Sequence, residues 1–511
     1  MKQIIKIVFL LISLFGTVSC VDMLNPEPEN SVTFYNFFKT EEDVASAVYG
    51  IHALYRGMFD GYPVFEGSGE LADHVKSSDD DLRGFRNLDG TLITNDRYFL
   101  SWKGWYNIIT QALIVIENID RANLPKERHD NYLGQALFFK AMAYFKIVQA
   151  WGDCPYVSVS YELKERGRES WKTVLDKEIL EAERAALLLK LWRELIDNKS
   201  SAITSRQIPG REAVYALLTH MYAWKGSLCD DMDAVQKGID AATYVIKKGG
   251  FSLAKTPEEV CTKVMMGKHP ECIFEVELLW SEVWLQGYYH MESLYEGYPI
   301  VPYTPVGDII NNTLHINASR VLEMYPTRVI DGETITDLRR EAYFYKPAEM
   351  IDSVDSKGWA FLQKRREVVL DKTSSPTKPE TWFRNFDGNV IVYRLADIVL
   401  LRAELYAKKG DTQPAIDDLN EIRGRALAKE YSADEGDLYY AIFKEREKEL
   451  IAERHRRYDI VRTGFYGELS DAWQKLTPQD VEDGAVYLPV HVAAFYDNSY
   501  MRQNRFWAKQ W

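Results

Sequence analysis

The sequence predicts a mainly α chain in which tetratricopeptide-type helix pairs form a scaffold and a long loop-rich insertion carries the ligand surface. Three observations lead there. Apolar residues recur at three- and four-residue spacing through several long stretches. Two segments, Tyr222 to Gly226 and Tyr406 to Gly410, repeat an apolar helix followed by glycine, the second leading into a new face of Ala415, Leu419 and Ile422. Between about 251 and 390 the helical period fades, and Pro299, Pro302, Pro305, Asp331-Gly332 and Ser375-Pro376 punctuate loops and short strands.

At the N-terminus, Lys2 and Lys6 precede an apolar run, Ile7 to Phe15, broken only by Ser13, and Gly16, Thr17, Val18, Ser19 and Cys20 follow. Positive charge, a short apolar core and small residues make a secretory leader over 1–19. The core is too short for a membrane span, which takes about 20 apolar residues. Cys20 after small residues resembles a bacterial lipobox, with Thr17 where leucine is usual; an incidental cysteine behind a plain leader is the alternative. Acylation there, palmitate included, would anchor the chain, since buried methylenes contribute about 0.8 kcal/mol each. Residues 20–36 hold Asn25-Pro26-Glu27-Pro28-Glu29-Asn30 and suit an extended tether, so folding is placed from Phe37.

Glu41 to Leu54 reads as a helix through Val44, Ala47, Val48 and Ile51. Trp102 to Asp120 follows through Trp105, Ile108, Ile109, Ala112, Ile116 and Ile119. Gly134 to Trp151 is apolar all round, which marks a buried helix, and Gly152-Asp153-Cys154-Pro155 stops it. Trp102, Trp105 and Trp151 belong to core stripes. Ala441 to Tyr458 reads as one helix with Ile442, Phe443, Leu450, Ile451 and Tyr458 inward and Lys444 to Glu449 as an exposed charged face. The helical regions are divided as 37–250 and 251–511.

Composition excludes more than it selects. With net charge −14, the surface repels phosphate backbones, so nucleic acid is not an expected partner, and acidic polysaccharides are mildly disfavoured. The cysteines form no CxxC pair; Cys261 and Cys272 could bridge, though spacing does not decide it. Phosphate-binding glycine loops, GxSxG and HExxH are all missing, so no catalytic residue, metal ligand or cofactor is assigned. Asp79-Asp80-Asp81 could take calcium, with a solvated loop as the plainer reading. Asp73-His74 suits a metal or catalytic pair less well than a surface helix end. Two carboxylates about 5 to 9.5 Å apart would be needed for glycoside hydrolysis, and no motif points to such a pair.

Four segments in order resemble the SusD/RagB family of Bacteroidetes nutrient-binding lipoproteins. Ala136 to Asp153, with Pro155, resembles its "R-A-x-x-Y-F-x-L-x-x-x-W-G-D-x-P" helix, with Lys140 where arginine is frequent. Tyr393 to Glu404 is similar to "R-Y-A-E-V-L-L-x-x-A-E", and Glu445 to Arg462 to "E-R-R-x-E-L-x-x-E-x-x-R-x-x-D-L-x-R". Tyr487-Leu488-Pro489 with Asn498, Gln503 and Asn504 resembles the closing motif, Asp497-Asn498-Ser499 replacing Asn-Pro. The resemblance implies a lipid-anchored cell-surface protein of the outer membrane that is not an enzyme. It would capture oligosaccharide, or peptide in the RagB branch, and deliver it to a SusC-like TonB-dependent transporter; a lipid-anchored glycoside hydrolase is the more distant alternative.

A sugar offers an apolar C–H face and a hydroxyl rim, so stacking aromatics and rim donors are the residues to seek. Trp280, Trp284, Tyr288 and Tyr289 crowd the irregular stretch and are the expected platform. Arg83, Arg86 and Asn95 are the expected rim, with Trp359 and Trp382 in reserve. Packing of the insertion on the helices is the competing role for each aromatic.

Overall fold

The computed structural model describes residues 37–59, 68–97, 100–162, 164–278, 314–354, 356–372 and 381–511. Helix α1 (Glu41–Gly57) opens on a capping box: the Thr40 hydroxyl accepts from Asp43 N–H and the Asp43 carboxylate accepts from Thr40 N–H. Its Val44, Val48, Ile51 and Tyr55 are buried. Strand β1 (Val75–Ser77) and helix α2 (Asp80–Asn87) follow, then α3 (Lys103–Asn118), α4 (Lys126–Trp151), α5 (Trp171–Leu188), α6 (Arg211–Leu228) and α7 (Met232–Lys248). Helix α4 begins eight residues before the apolar pattern does. Its first two turns, Lys126 to Asn131, are polar, and a search for apolar spacing passes over them.

The insertion contributes β2 (Cys272–Val276), β3 (Leu314–Asn317), α8 (Ala318–Met324), β4 (Thr327–Ile330), β5 (Glu333–Thr336), β6 (Phe344–Tyr345), β7 (Trp359–Leu362), β8 (Val368–Lys372), β9 (Thr381–Phe386) and β10 (Val390–Arg394). Among the described residues, β1, β3, β7 and β6 form one antiparallel sheet in that order, and β10–β2, β4–β5 and β8–β9 form two-stranded ribbons. Helices α9 (Leu395–Lys409), α10 (Thr412–Arg425), α11 (Leu438–Glu449) and α12 (Arg456–Thr463) close the chain with short turns and a tail. The mainly α expectation is borne out.

The two helix pairs stand far apart in sequence and side by side in space: α6 packs on α7, α7 on α9, and α9 on α10. Closing so long a loop adds little entropy cost, because that cost grows only with the logarithm of loop length. The two glycines of the repeat differ in role. Gly410 caps α9 in the left-handed conformation, φ 91°. Gly226 does not stop its helix, which runs on to Leu228; a Cβ there would lie 2.8 Å from Val235, so it is a close-packing site between α6 and α7.

The structure corrects the reading of the charged segment in two ways. Ala441 to Tyr458 is not one helix: α11 ends at Glu449, and a turn with Ala452 and Arg454 at positive φ precedes α12. Glu70 accepts from the N–H groups of both Ala452 and Arg454, which fixes that turn. Nor do the charges face solvent: Glu445, Arg446, Glu447 and Glu449 are buried, as are Ile442, Phe443, Leu450, Ile451 and Tyr458.

Glu445 meets Arg339 at 2.6 Å and Arg423 at 2.8 Å; Arg446 meets Asp397 and Asp459, each at 2.9 Å. Glu449 meets Arg425 at 2.5 Å, Arg394 at 2.9 Å and Arg339 at 3.5 Å. Arg394 also binds Glu271 and Glu453, Lys364 binds Glu453, and Arg462 joins Glu404 to Asp459. Burial alone would raise each acid, but the guanidiniums outweigh it and hold Glu445, Glu449, Glu453 and Asp459 at about 2. This mesh joins the insertion (Glu271, Asp337, Arg339, Lys364, Arg394) to helices α9 to α12.

The cysteines stay apart. Cys261 and Cys272 are both free and buried, their thiols donating to the carbonyls of Ala342 and Val264. Among the described residues no helix is long and apolar enough to cross a membrane.

Candidate functional site

The four-stranded sheet presents one face to the outside, and strand alternation determines what stands there. In β1 the buried Val75 and Ser77 flank exposed Lys76; in β3 the buried Leu314 and Ile316 alternate with half-buried His315 and exposed Asn317. Register places Lys76 opposite His315 and Asn317 opposite Trp359, so these four share the outer face.

Trp359 and His315 stack with ring centroids 4.3 Å apart at 24°. Lys357 Nζ lies 5.5 Å from the Trp359 centroid, carried there by a turn in which Lys357 and Gly358 both take positive φ. Gly358 supports the same turn by accepting from Ala318 N–H at 2.8 Å. His315 Nδ1 is buried and meets no hydrogen-bond partner among the described residues. Burial, and then the neighbouring Lys76 charge, push the imidazole below its ordinary range, so it is neutral at pH 7.

This layer rests on the ion-pair mesh. His74, next to β1, faces Glu447 at 3.2 Å, and Asp73 N–H donates to Glu468 O at 2.7 Å. Asp73-His74 is therefore neither a metal pair nor a surface helix end: the imidazole side chain is buried and faces Glu447. A Cβ on Gly69 would lie 2.9 Å from Arg454 O, so the 68–77 segment sits tight against the turn before α12.

The expected rim residues adjoin this layer through α2, which packs on β1. Arg83 is exposed and pairs with Asp80 at 2.7 Å. Arg86 donates to the carbonyls of Ala72 and Asp73, which ties α2 to the segment before β1. Asn95 is exposed, and its carbonyl accepts from Val492 N–H. Trp280, Trp284, Tyr288 and Tyr289 lie outside the described residues, in the stretch that leads into β3 at Leu314. Trp382 sits in β9 opposite Asp371.

The Asp79–Asp81 run is no solvated loop. Asp79 caps α2 by accepting from Leu82 N–H, and buried Asp81 accepts from Thr94 N–H and Arg97 Nε, both at 2.6 Å. Those bonds leave the run without a convergent oxygen shell, and no three-residue metal-binding group occurs among the described residues.

A groove of about 310 Å³ lies elsewhere, between the start of α4 and residues 188–196. It is lined by Lys126, Arg128, Leu188, Lys190, Leu195 and Ile196 among others, with no aromatic ring to stack on a sugar. The sheet face has one. Sequence reasoning held Trp359 only in reserve and missed Lys76, His315 and Lys357. The alternation Val75-Lys76-Ser77 and Leu314-His315-Ile316 was the available signal, but strands this short stand out little from loop.

The helical scaffold, bonded by buried ion pairs, thus carries an aromatic and polar surface on a sheet built by β1 and the insertion together. Two family models match: one described as the SusD family over residues 360–507, the other as starch-binding associating with outer membrane over residues 69–223. SusD-like protein P38 of Formosa agariphila is 24% identical over 98% of both chains, and SusD-like protein P25 of the same organism is 22% identical over 91% of this chain and 90% of its own. A SusD homolog of Bacteroides thetaiotaomicron superposes with TM-score 0.74 at 21% identity, covering 92% of this chain and 99% of its own. B. fragilis NanU does so with TM-score 0.69 at 20% identity, covering 94% and 99%. The chain belongs to the SusD/RagB family, a family of outer-membrane-associated binding proteins.

Proposed function

We propose that this chain captures oligosaccharide at the cell surface and delivers it to a SusC-like TonB-dependent transporter, tethered through an acylated Cys20. The observation that carries the cargo reading is the Trp359–His315 stack on the outer face of the sheet. Trp280, Trp284, Tyr288 and Tyr289 are the further stacking residues of this reading, on sequence grounds, and Arg83 and Asn95 its rim donors. Stacking on the C–H face provides affinity, and donors at the rim fix orientation. Hydrolysis finds no support in the acids of the mesh: Glu445, Glu449 and Glu453 are buried against arginine or lysine and stay ionised.

Calorimetry against a panel of oligosaccharides and peptides tests the reading. Binding of at least one glycan is expected, and Trp359→Ala is expected to weaken it about tenfold, the contribution of one stacking ring. Peptide binding with no glycan binding would replace this cargo with the RagB-like one, and turnover of the glycan would end the binding-protein reading. For the anchor, Cys20→Ala is expected to move the secreted protein from the membrane fraction to the soluble one. An unchanged distribution would remove the lipid tether.

A further inference from the structure

We propose that the cargo is anionic: an oligosaccharide bearing carboxylate or sulfate groups, held between Lys76 and Lys357 across the His315–Trp359 stack. The inference rests on the glycan-binding reading above and narrows its substrate class. A chain with net charge −14 would be expected to repel such cargo. The outer face of the sheet departs locally from that average.

Nearby exposed cations have carboxylate partners: Arg83 pairs with Asp80 at 2.7 Å, Arg320 with Glu323 at 2.9 Å and Lys346 with Glu349 at 3.1 Å. Lys76 and Lys357 have no ion pair among the described residues. The outward positions of β1, β3 and the start of β7 are Lys76, His315, Asn317 and Trp359, with no carboxylate among them. The face therefore carries positive charge without a facing carboxylate; burial first, and then the Lys76 charge, lower the proton affinity of His315. Register sets Lys76 beside His315, and Lys357 Nζ lies over Trp359, so each member of the stack has a lysine next to it. A sugar ring laid on that stack would bring a ring substituent within reach of a lysine on either side. Ammonium groups beside an apolar wall favour a charged acceptor over a hydroxyl, because the hydrogen bond is then charge-assisted.

The test uses the full folded protein and matched probes that differ only in charge: tetragalacturonate against its methyl ester, and a sulfated galactan oligosaccharide against its desulfated form. At least one acidic member is expected to bind about tenfold or more tightly than its neutral partner in low salt. The gap should narrow at high ionic strength as screening rises. Lys76→Gln with Lys357→Gln is expected to lower acidic affinity about three- to tenfold per lysine and neutral affinity by less, so that the gap between the matched probes narrows, with the circular dichroism spectrum unchanged. If no acidic member outbinds its neutral partner, the charge inference is overturned and the glycan-binding reading stands. If no glycan of either kind binds, both are overturned.

Discussion

Glu449→Gln is expected to destabilise the protein by about 3–5 kcal/mol, the usual result of removing one partner from a buried ion pair. Glu449 sits among Arg425, Arg394 and Arg339 with no exposure of its side chain. The amide keeps the shape but not the charge, so three guanidiniums lose part of their compensation in a medium where water cannot replace it. Arg394 and Arg425 share Glu271 as a second partner, which softens the loss without cancelling it. Denaturant midpoints compared at constant slope measure the change. A shift below about 1 kcal/mol would mean that the mesh is hydrated and worth no more than surface pairs. The mesh need not be more stable than a packed apolar core would be; what it supplies is a fixed orientation of the insertion on the helices.

Stability is expected to fall in two steps as pH drops, and the sign follows from the direction of each shift. Burial lowers His52, His74 and His455 to about 4, so the folded chain refuses protons that the unfolded chain accepts near 6.5. Their contribution is constant above about pH 6.5 and is lost as pH falls toward 4, by roughly 3 kcal/mol for a group as enclosed as His52. His52 hydrogen-bonds to Gln135 at 2.9 Å and meets the Phe139 ring edge-on, a setting that tolerates the neutral ring alone. The second step comes from acids held at about 2, namely Glu445, Glu449, Glu453 and Asp459. Their stabilisation is full above about pH 4.5 and disappears as pH falls toward 2. Since net stability is only about 5–15 kcal/mol, the chain should unfold before the second step is complete. Melting curves across pH 7 to 3 check this. A melting temperature unchanged from pH 7 to 4 would show that these imidazoles are solvated, and His52→Gln should flatten the first step in part.

The sequence determined the helices, the dispersed helix pairs and the family, because apolar spacing and ordered motifs are local properties of the chain. Val44 to Ile51 and Ile108 to Ala112 announce their buried faces without knowledge of any partner. Only the tertiary structure decided which way the charges of Glu445 to Arg462 point. Alternating signs at three and four spacing look the same on a solvated helix as on one whose arginine partners arrive from residues 339, 394, 423 and 425. Lys76, His315, Trp359 and Lys357 likewise form one surface only because strands from distant parts of the chain pair in register. Such neighbourhoods are set by hydrogen bonds between strands that no single segment records.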